Sequence, residues 1–589
     1  MYHSTGNYEA FVHPRKPKDI EKKSAYIIGT GLAGLSAAVF LVRDAQMPGE
    51  NIHILEASPI AGGALDGAYI EGHGFCCRGG RELEDHMECL WDLFRSIPSL
   101  EEPGMTVLDE TYYMNKDDPN FSMERSICSG GASSTTIDLS FSPRVNQQMQ
   151  ALMMASTKEI EDRPISDFFD EEFFSTPFWL YWSTMFAFQK WHSALEFRRY
   201  CQRFVHHSSD VGGIATFSNM KFMKYNQYES FVLPILSYLE SHNVHITYDT
   251  EVTDVKFDCT NGKKVAKSLI TVTNGEEKVI ELTENDFVFT TLGSNVDSSS
   301  LGTHTEAPKI DFEKDPGKSW NLWKKIAAQS PDFGHPEKFC GNVKESMFAS
   351  ATVEVDDTIR PYLEKIFKRP APGGKTFAGG IVTVSDSSWC ISFTFDRQPH
   401  FKQQPDGHYV GWMYALNNYV PGDYIKKPMM ECSGQEICEE LLYHIGVPAD
   451  KIEDYAANHT NVVPCVMPYV TSYFEVRKQG DRPQVVPNGA ANFAFLGEFV
   501  EIPRDVVFTT EYAVRSAMEA VYTLFDVERA VPEVYASIYD ARVLVKQIPL
   551  DMIPGDVPEG LREQFENLEP LGWQNTVAAE ELKKRGIVK

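Results

Sequence analysis

The sequence predicts an α/β protein built around a parallel β-sheet, with an inserted α+β unit and a helical C-terminal tail. Near the N-terminus, a strand, a glycine-rich turn and a helix follow one another. Two later apolar strands each end at a glycine, and long blocks without this pattern separate them. The chain has 589 residues, which is too long for one compact core and indicates two or three domains.

The first unit has the order strand, helix, strand. Residues 24–28 form a short apolar, partly β-branched run typical of a buried strand, and residues 51–55 form a second one. Between them, residues 35–42 are rich in Ala and Leu and predict a helix. A parallel arrangement is the default for such a unit.

The turn after the first strand has the spacing GxGxxG. Gly29 permits the tight turn, Gly31 lets the backbone approach a pyrophosphate, and Gly34 lets the helix pack on the strand. Leu32 and Ala33 belong to the start of the helix, whose free N–H groups and partial positive charge favour phosphate. The turn therefore predicts a Rossmann-like dinucleotide-binding domain.

Two features after the second strand favour FAD as the dinucleotide. Glu56 ends that strand, where its carboxylate can accept hydrogen bonds from ribose hydroxyls and would repel the 2′-phosphate of NADP. The alternative is a Glu that only caps the strand. The double glycine ending at Gly63, followed by Ala64, is typical of flavoproteins and favours FAD over NAD, although it could be a plain turn. We predict an FAD-binding, Rossmann-like domain of the GR2 type.

Later strands extend this domain. Residues 287–291 precede Gly293 and Ser294, residues 492–496 precede a Gly-Glu pair, and residues 245–248 lead towards Val252. The domain is therefore predicted to be discontinuous. The predicted ranges are 20–95, 205–300 and 480–530 for the FAD-binding domain, 100–200 and 305–480 for the substrate-binding or cap domain, and 531–589 for the helical tail.

Two segments have competing interpretations. Residues 168–192 are dense in aromatic side chains, which indicates a packed helix pair before it indicates the wall of an apolar channel. In the tail, Val534, Ile538, Ala541 and Val545 fall on one helical face. Residues 583–589 are basic; a solvated helix end is the favoured interpretation, and contact with the inner face of a membrane is the alternative.

Composition excludes several classes of protein. The net charge of −28 argues against a nucleic-acid partner. No apolar run reaches membrane-spanning length, and residues 1–24 lack the apolar stretch of a signal peptide. The 11 cysteines are scattered without a CxxC, which predicts reduced thiols, no metal site and a cytoplasmic location.

Residues 78–82 read Arg-Gly-Gly-Arg-Glu and precede a predicted helix. Leu83, Met87, Leu90, Trp91 and Phe94 would share one face of that helix. Spacing alone favours Glu82 as an acid at the helix start, paired with an arginine, over a catalytic role.

A group of motifs changes this balance because together they resemble the oleate hydratases, also called the myosin-cross-reactive antigen family. The resemblance runs from about Tyr8 to the tail and covers nearly the whole chain. The residues that carry it are Tyr8–Phe11, Gly62–Gly67, Arg78–Glu82, Glu88–Ser99 and Arg397–Phe401.

The resemblance implies FAD-dependent addition of water to a cis double bond of a free unsaturated fatty acid such as oleate or linoleate. It implies that Glu82 activates the water and that Tyr200 protonates the alkene. A tyrosine is a weak acid, so Tyr200 needs help from a cation or the flavin, and Arg198 and Arg199 are the candidates. The family expectation is a homodimer.

The resemblance also implies a site for the substrate carboxylate. Its residues are Thr394, Asp396, His400 and Arg78. The family pattern has Asn where this chain has Asp396, so repulsion must be removed by protonation, or offset by His400 or Arg397. The further predicted FAD contacts are Arg81, Val252, Gly293, Ser294, Val507, Phe508 and Thr509.

Two other functions stay open at this point. Without the resemblance, the dinucleotide motif favours a flavin oxidoreductase of the amine oxidase or desaturase type. The third hypothesis is a lipid-binding flavoprotein without turnover.

Overall fold

The computed structural model describes residues 8–9, 14–133, 139–204, 206, 214, 216–311, 315–371, 373–535, 537–539, 580 and 583–584. The strands are β1 Ser24–Ile28, β2 Ile52–Leu55, β3 Gly67–Ile70, β4 Gly74–Cys77, β5 Ser126–Cys128, β6 Ala132–Ser133, β7 His245–Thr247, β8 Thr250–Asp258, β9 Val265–Thr273, β10 Glu276–Glu281, β11 Asp286–Thr291, β12 Ser300–Leu301, β13 Phe348–Asp356, β14 Val382–Val384, β15 Ile391–Thr394, β16 His408–Ala415, β17 Thr460–Met467 and β18 Phe493–Leu496. The α-helices are α1 Leu32–Arg43, α2 Glu88–Phe94, α3 Val107–Asp117, α4 Pro143–Met154, α5 Thr157–Ile160, α6 Glu171–Phe174, α7 Pro177–Phe186, α8 Ala194–Phe204, α9 Leu233–Ser241, α10 Lys318–Ala327, α11 Glu337–Cys340, α12 Val343–Ser346, α13 Arg360–Phe367, α14 Gly434–His444, α15 Ile452–His459 and α16 Thr510–Phe525.

A five-stranded parallel sheet forms the centre of the fold, with the order β18-β11-β1-β2-β7. All five of its strands match the predicted runs to within a residue or so at each end. The predicted α/β, Rossmann-like fold is therefore confirmed. Strand β8, which carries Val252, belongs to a separate antiparallel sheet with β9 and β10.

Helix α1 is buried along most of its length between the parallel sheet and α16. The predicted helix of residues 35–42 therefore begins three residues earlier, at Leu32, with Gly31 as its N-cap. A Cβ at Gly34 would lie 2.1 Å from the carbonyl oxygen of Gly29, so only glycine permits this close approach of helix and turn. Gly29 itself has a φ of +96°, in the left-handed region that favours glycine.

The larger sheet has eight strands in the order β12-β17-β13-β16-β15-β14-β5-β6. Its strands come from residues 126–133 and from residues 300–467, so both predicted insertion blocks contribute to one layer. The division into domains stays a prediction. The aromatic region forms α6 and α7, whose rings pack on one another and on Phe197 of α8.

The prediction that a helix begins directly after Glu82 is wrong. Helix α2 begins only at Glu88. Leu83 lies in an extended segment because its N–H and C=O both bond to Lys221, at 3.1 and 2.7 Å. Glu82 is therefore not an acid at a helix start, and this interpretation of the residue is removed.

Most of the predicted C-terminal tail lies outside the described residues. Ala541, Val545 and most of the basic run fall there. Residues 531–535 and 537–539 are described, and Ser537 Oγ donates to the backbone oxygen of Arg203 at the end of α8. Within the part of the chain that is described, no helix is both long enough and apolar enough to cross a membrane.

Candidate functional site

A long cavity runs along the carboxyl ends of the parallel strands and over the N-terminus of α1. A Cβ at Gly31 would meet no atom within 4 Å, so this glycine leaves open space in front of the first N–H groups of the helix. Gly63 closes over the same point, with a φ of +55°. The cradle matches the pyrophosphate site that the turn predicts.

Glu56 lies at the edge of this cavity and also fixes the turn. One carboxylate oxygen accepts the Thr30 N–H at 2.8 Å and the Thr30 hydroxyl at 2.6 Å. The other oxygen accepts the Ser58 N–H at 2.8 Å. Glu56 therefore has the structural role that was the alternative to ribose binding. It could still bind ribose hydroxyls as well, because a carboxylate oxygen can accept more than one hydrogen bond.

Most of the predicted cofactor contacts line this cavity. They are Gly29, Gly31, Leu32, Ala33, Glu56, Gly63, Ala64, Arg81, Val252, Gly293, Ser294, Phe508 and Thr509. Gly34 and Val507 do not line it, because Gly34 packs against Gly29 and Val507 is buried behind its neighbours. Asn295, Tyr473 and Glu498 line it but were not predicted; the Gly-Glu pair after β18 was the available signal for Glu498.

A second cavity adjoins the first and gathers the predicted catalytic residues. Glu82, Tyr200, Thr394, Asp396 and Arg78 all line it, although they come from three segments that lie far apart in the sequence. Its other walls are largely apolar. The two cavities share the lining residues Ala64, Arg81, Asn295, Val296, Phe508, Thr509 and Thr510.

The Glu82 carboxyl is poised to exchange a proton near neutral pH. Burial, reinforced by the negative charge of Asp396, raises its pKa to about 8. Arg125 opposes this shift, but the guanidinium is bonded elsewhere, to Thr383 and Thr184 among others. A buried carboxyl with a shifted pKa in a cavity is typical of a functional group.

Tyr200 lies on α8 among aromatic rings. Its ring centroid is 4.9 Å from that of Phe186 and 5.0 Å from that of Phe188. Burial holds the pKa of the phenol well above its usual value, so the neutral, proton-carrying form is stabilised. The hydroxyl donates to the backbone oxygen of Val507.

The two arginines expected to assist Tyr200 bind other groups. Arg199 forms an ion pair with Glu501 at 2.7 Å, and Arg198 donates to the backbone oxygen of Ala155 and to Thr157. Both expectations are wrong because residues one or two positions apart on a helix do not face each other.

The two residues expected to offset the charge of Asp396 at the predicted carboxylate site, Arg397 and His400, do not do so. Thr394 donates to Asp396 at 2.5 Å, and burial raises the pKa of Asp396 to about 6. Arg397 does not compensate this charge, since it pairs with Asp118 at 2.8 Å and lines a separate surface cavity. His400 lines a small side cavity with Asp396, and burial lowers its pKa to about 4, so it carries no charge at neutral pH.

Arg78 keeps one donor free for an anion. Its Nε is paired with Asp66 at 2.8 Å, whereas Nη1 is buried without a hydrogen-bond partner among the described residues. A buried, unsatisfied guanidinium N–H is costly, so a ligand oxygen is the expected partner.

The fold and the two adjoining cavities define a Rossmann-like dinucleotide-binding protein with a second, buried ligand cavity. The MCRA family profile matches residues 22–522. The chain belongs to the MCRA family.

Named relatives agree with this assignment. The chain is 51% identical over 550 residues to the oleate hydratase of Streptococcus pyogenes serotype M49 (strain NZ131), covering 93% of this chain and 92% of that protein. It is 29% identical over 544 residues to the linoleate hydratase of Lactiplantibacillus plantarum, covering 85% and 93%. Among solved structures, a mutant of putrescine oxidase redesigned in its cofactor binding aligns with a TM-score of 0.50 at 12% identity, covering 86% of this chain and 99% of that one; this likeness concerns the fold alone.

Proposed function

We propose that this protein is an FAD-dependent hydratase that adds water across a cis double bond of a free unsaturated fatty acid and releases a hydroxy fatty acid. The observation that carries the proposal is the convergence of Glu82, Tyr200, Thr394 and Asp396 on one apolar-walled cavity beside the dinucleotide cavity. The hydratase names of the two relatives favour oleate or linoleate as the substrate.

The proposed reaction needs an acid and a base because an isolated alkene is a poor electrophile. Glu82 in its ionised form accepts a proton from water as the water oxygen bonds to one alkene carbon. Tyr200 gives up its hydrogen bond to Val507 and transfers its phenolic proton to the other carbon, and the proton on Glu82 restores the phenol through solvent. One O–H bond of water is broken, a C–O and a C–H bond form, and no electrons leave the substrate.

The surroundings favour this chemistry by holding the reactants together. The apolar walls bind the acyl chain, with each buried methylene contributing about 0.8 kcal/mol. Arg78 would hold the carboxylate, with Thr394 as a second donor once its hydroxyl turns away from Asp396, and this fixes the alkene relative to Glu82 and Tyr200. Gly31, Glu56 and Arg81, which line the dinucleotide cavity, would hold FAD, and the bound cofactor would supply a polar, electron-poor ring system.

The proposal is tested by incubating the FAD-loaded protein with oleate and with linoleate under anaerobic conditions and measuring product mass. We expect a gain of one water and an unreduced flavin spectrum. Glu82→Gln and Tyr200→Phe should each lower kcat by about a hundredfold or more, with FAD absorbance retained.

The matched control is Glu519→Gln, which changes a carboxyl on α16 outside both cavities. Loss of hydrogen with flavin reduction would support an oxidoreductase instead, and retained lipid without any product would support a binding protein. Wild-type hydration by both variants would contradict the roles given to Glu82 and Tyr200.

The FAD requirement, the homodimer and a membrane contact of the tail belong to this proposal as further expectations. The place of Glu56 at the edge of the dinucleotide cavity and the open cradle at Gly31 support FAD over another flavin. Release of the flavin by denaturation and its identification by mass spectrometry test the cofactor.

A further inference from the structure

The proton donor assigned above is held by the backbone of a neighbouring segment. The Tyr200 hydroxyl donates to the carbonyl oxygen of Val507. Directly after it, the N–H of Phe508 donates to Glu498 Oε2 at 2.7 Å. The C=O of Val507 and the N–H of Phe508 belong to the same peptide unit, so Tyr200 and Glu498 bond to its two ends.

This peptide unit lies in a strained segment. Phe508 has a φ of +69°, which is an uncommon conformation for a residue with a bulky side chain. The peptide keeps this orientation only if bonds on both sides hold it. Rotation of the peptide would turn the N–H of Phe508 towards Tyr200, so that the phenol would lose its acceptor.

The segment around Phe508 also forms part of the wall that the two cavities share. Phe508 and Thr509 line both cavities, and Glu498 lines the dinucleotide cavity. Thr509 caps α16 by accepting the Tyr512 N–H at 3.2 Å, which fixes the C-terminal side of the peptide. Glu498 is then the side chain that fixes the peptide plane from the side of the dinucleotide cavity.

We propose that Glu498 is a positioning residue for Tyr200, acting through the peptide between Val507 and Phe508. The inference rests on the proposed function of Tyr200 as the proton donor. A hydrogen bond accepted from one end of a peptide polarises it and strengthens the bond at its other end, most of all in a buried site. Glu498 thereby fixes the resting position of the Tyr200 hydroxyl against Val507 before substrate binds.

The test places 3-fluorotyrosine at position 200 and follows its ¹⁹F resonance in the FAD-loaded protein. Glu498→Leu removes the acceptor and is expected to shift this resonance, whereas Glu498→Gln keeps an oxygen for the Phe508 N–H and should restore most of the wild-type position. Glu519→Leu, the same change on α16, should leave the resonance in place.

Turnover gives the second readout. At saturating FAD, Glu498→Leu should lower kcat for fatty acid hydration about tenfold, corresponding to about 1.4 kcal/mol, with a smaller change in KM. Glu498→Gln should stay within about threefold of the wild type, since it keeps the acceptor. If Glu498→Leu does not fold, the ¹⁹F resonance of Glu498→Gln is compared with that of the wild type at increasing temperature. This comparison tests an amide oxygen against a carboxylate oxygen as the acceptor for the Phe508 N–H.

An unmoved ¹⁹F resonance in Glu498→Leu overturns the inference, whatever happens to activity. An equal loss in the Leu and Gln variants also overturns it, because charge and not the peptide bond would then matter. A shifted resonance combined with full activity of Tyr200→Phe leaves the positioning intact and instead removes Tyr200 from the proposed function.

Discussion

The two cavities are built in different ways. The dinucleotide cavity is formed by backbone: a helix N-terminus, glycines with positive φ and strand ends, most of them contributed by short motifs. The adjoining cavity is formed by side chains from segments that are far apart in the chain, among them Glu82, Tyr200 and Asp396. A site formed by backbone tolerates few residue changes and is easily predicted from short sequence motifs. A site formed by side chains from distant segments has no such local motif.

The largest expected effect concerns the backbone cavity. Gly34→Ala places a Cβ 2.1 Å from the Gly29 carbonyl oxygen, so we expect a loss of stability of about 2 kcal/mol or more and poor retention of FAD. Gly31→Ala meets no atom within 4 Å and should keep the melting temperature while weakening FAD binding. Thermal unfolding and flavin titration of the two variants separate these effects. Equal melting temperatures would show that the helix does not need this close approach.

An intermediate effect is expected at the carboxylate end of the side-chain cavity. Arg78→Met removes the free guanidinium donor, so KM for oleate should rise about tenfold, since a hydrogen bond to a charged group is worth about 1.5–3 kcal/mol. Arg78→Lys is the control that keeps the charge. The methyl ester of oleate lacks the carboxylate, and a similar rise in its KM would contradict carboxylate binding by Arg78.

The smallest effect is a shift in pH dependence. Burial, and after it the negative charge of Asp396, raises the pKa of Glu82 to about 8, and the ionised form of Glu82 is the proposed base. Activity should therefore rise with pH through that value. Asp396→Asn removes a negative charge and should move this rising limb of the pH–activity curve to lower pH by about one pH unit.

The pH–rate profile of kcat checks this prediction. Asp118→Asn removes the same charge beside Arg397, outside the side-chain cavity, and should leave the limb unmoved. A limb that is unchanged in Asp396→Asn would show that the two carboxyls do not sense each other.

The sequence predicted the parallel sheet because each strand is a continuous apolar run that ends in a turn residue, as for residues 24–28 and 287–291. It misplaced the start of α2, since the pairing of Leu83 with Lys221 is a contact between distant parts of the chain that no local periodicity records. It also assigned Arg198 and Arg199 to Tyr200, although the direction of each side chain on α8 decides its partner.

For the side-chain cavity, residue spacing alone favoured a structural role for Glu82. Only the resemblance to a family brought Glu82, Tyr200 and the Thr394 segment together before the fold was known. Glu498 was missed because its contact with Tyr200 passes through a peptide, and backbone orientation cannot be read from residue type.

The shared wall between the cavities has a thermodynamic consequence. Phe508, Thr509 and Arg81 line both cavities, so any adjustment that a ligand in one cavity imposes on them is part of the binding free energy of a ligand in the other. Such coupling is reciprocal: the factor by which bound flavin changes the affinity for fatty acid equals the factor by which fatty acid changes the affinity for flavin. For the proposed hydratase, a change in fatty acid concentration would then be expected to change the affinity for the flavin in the same sense.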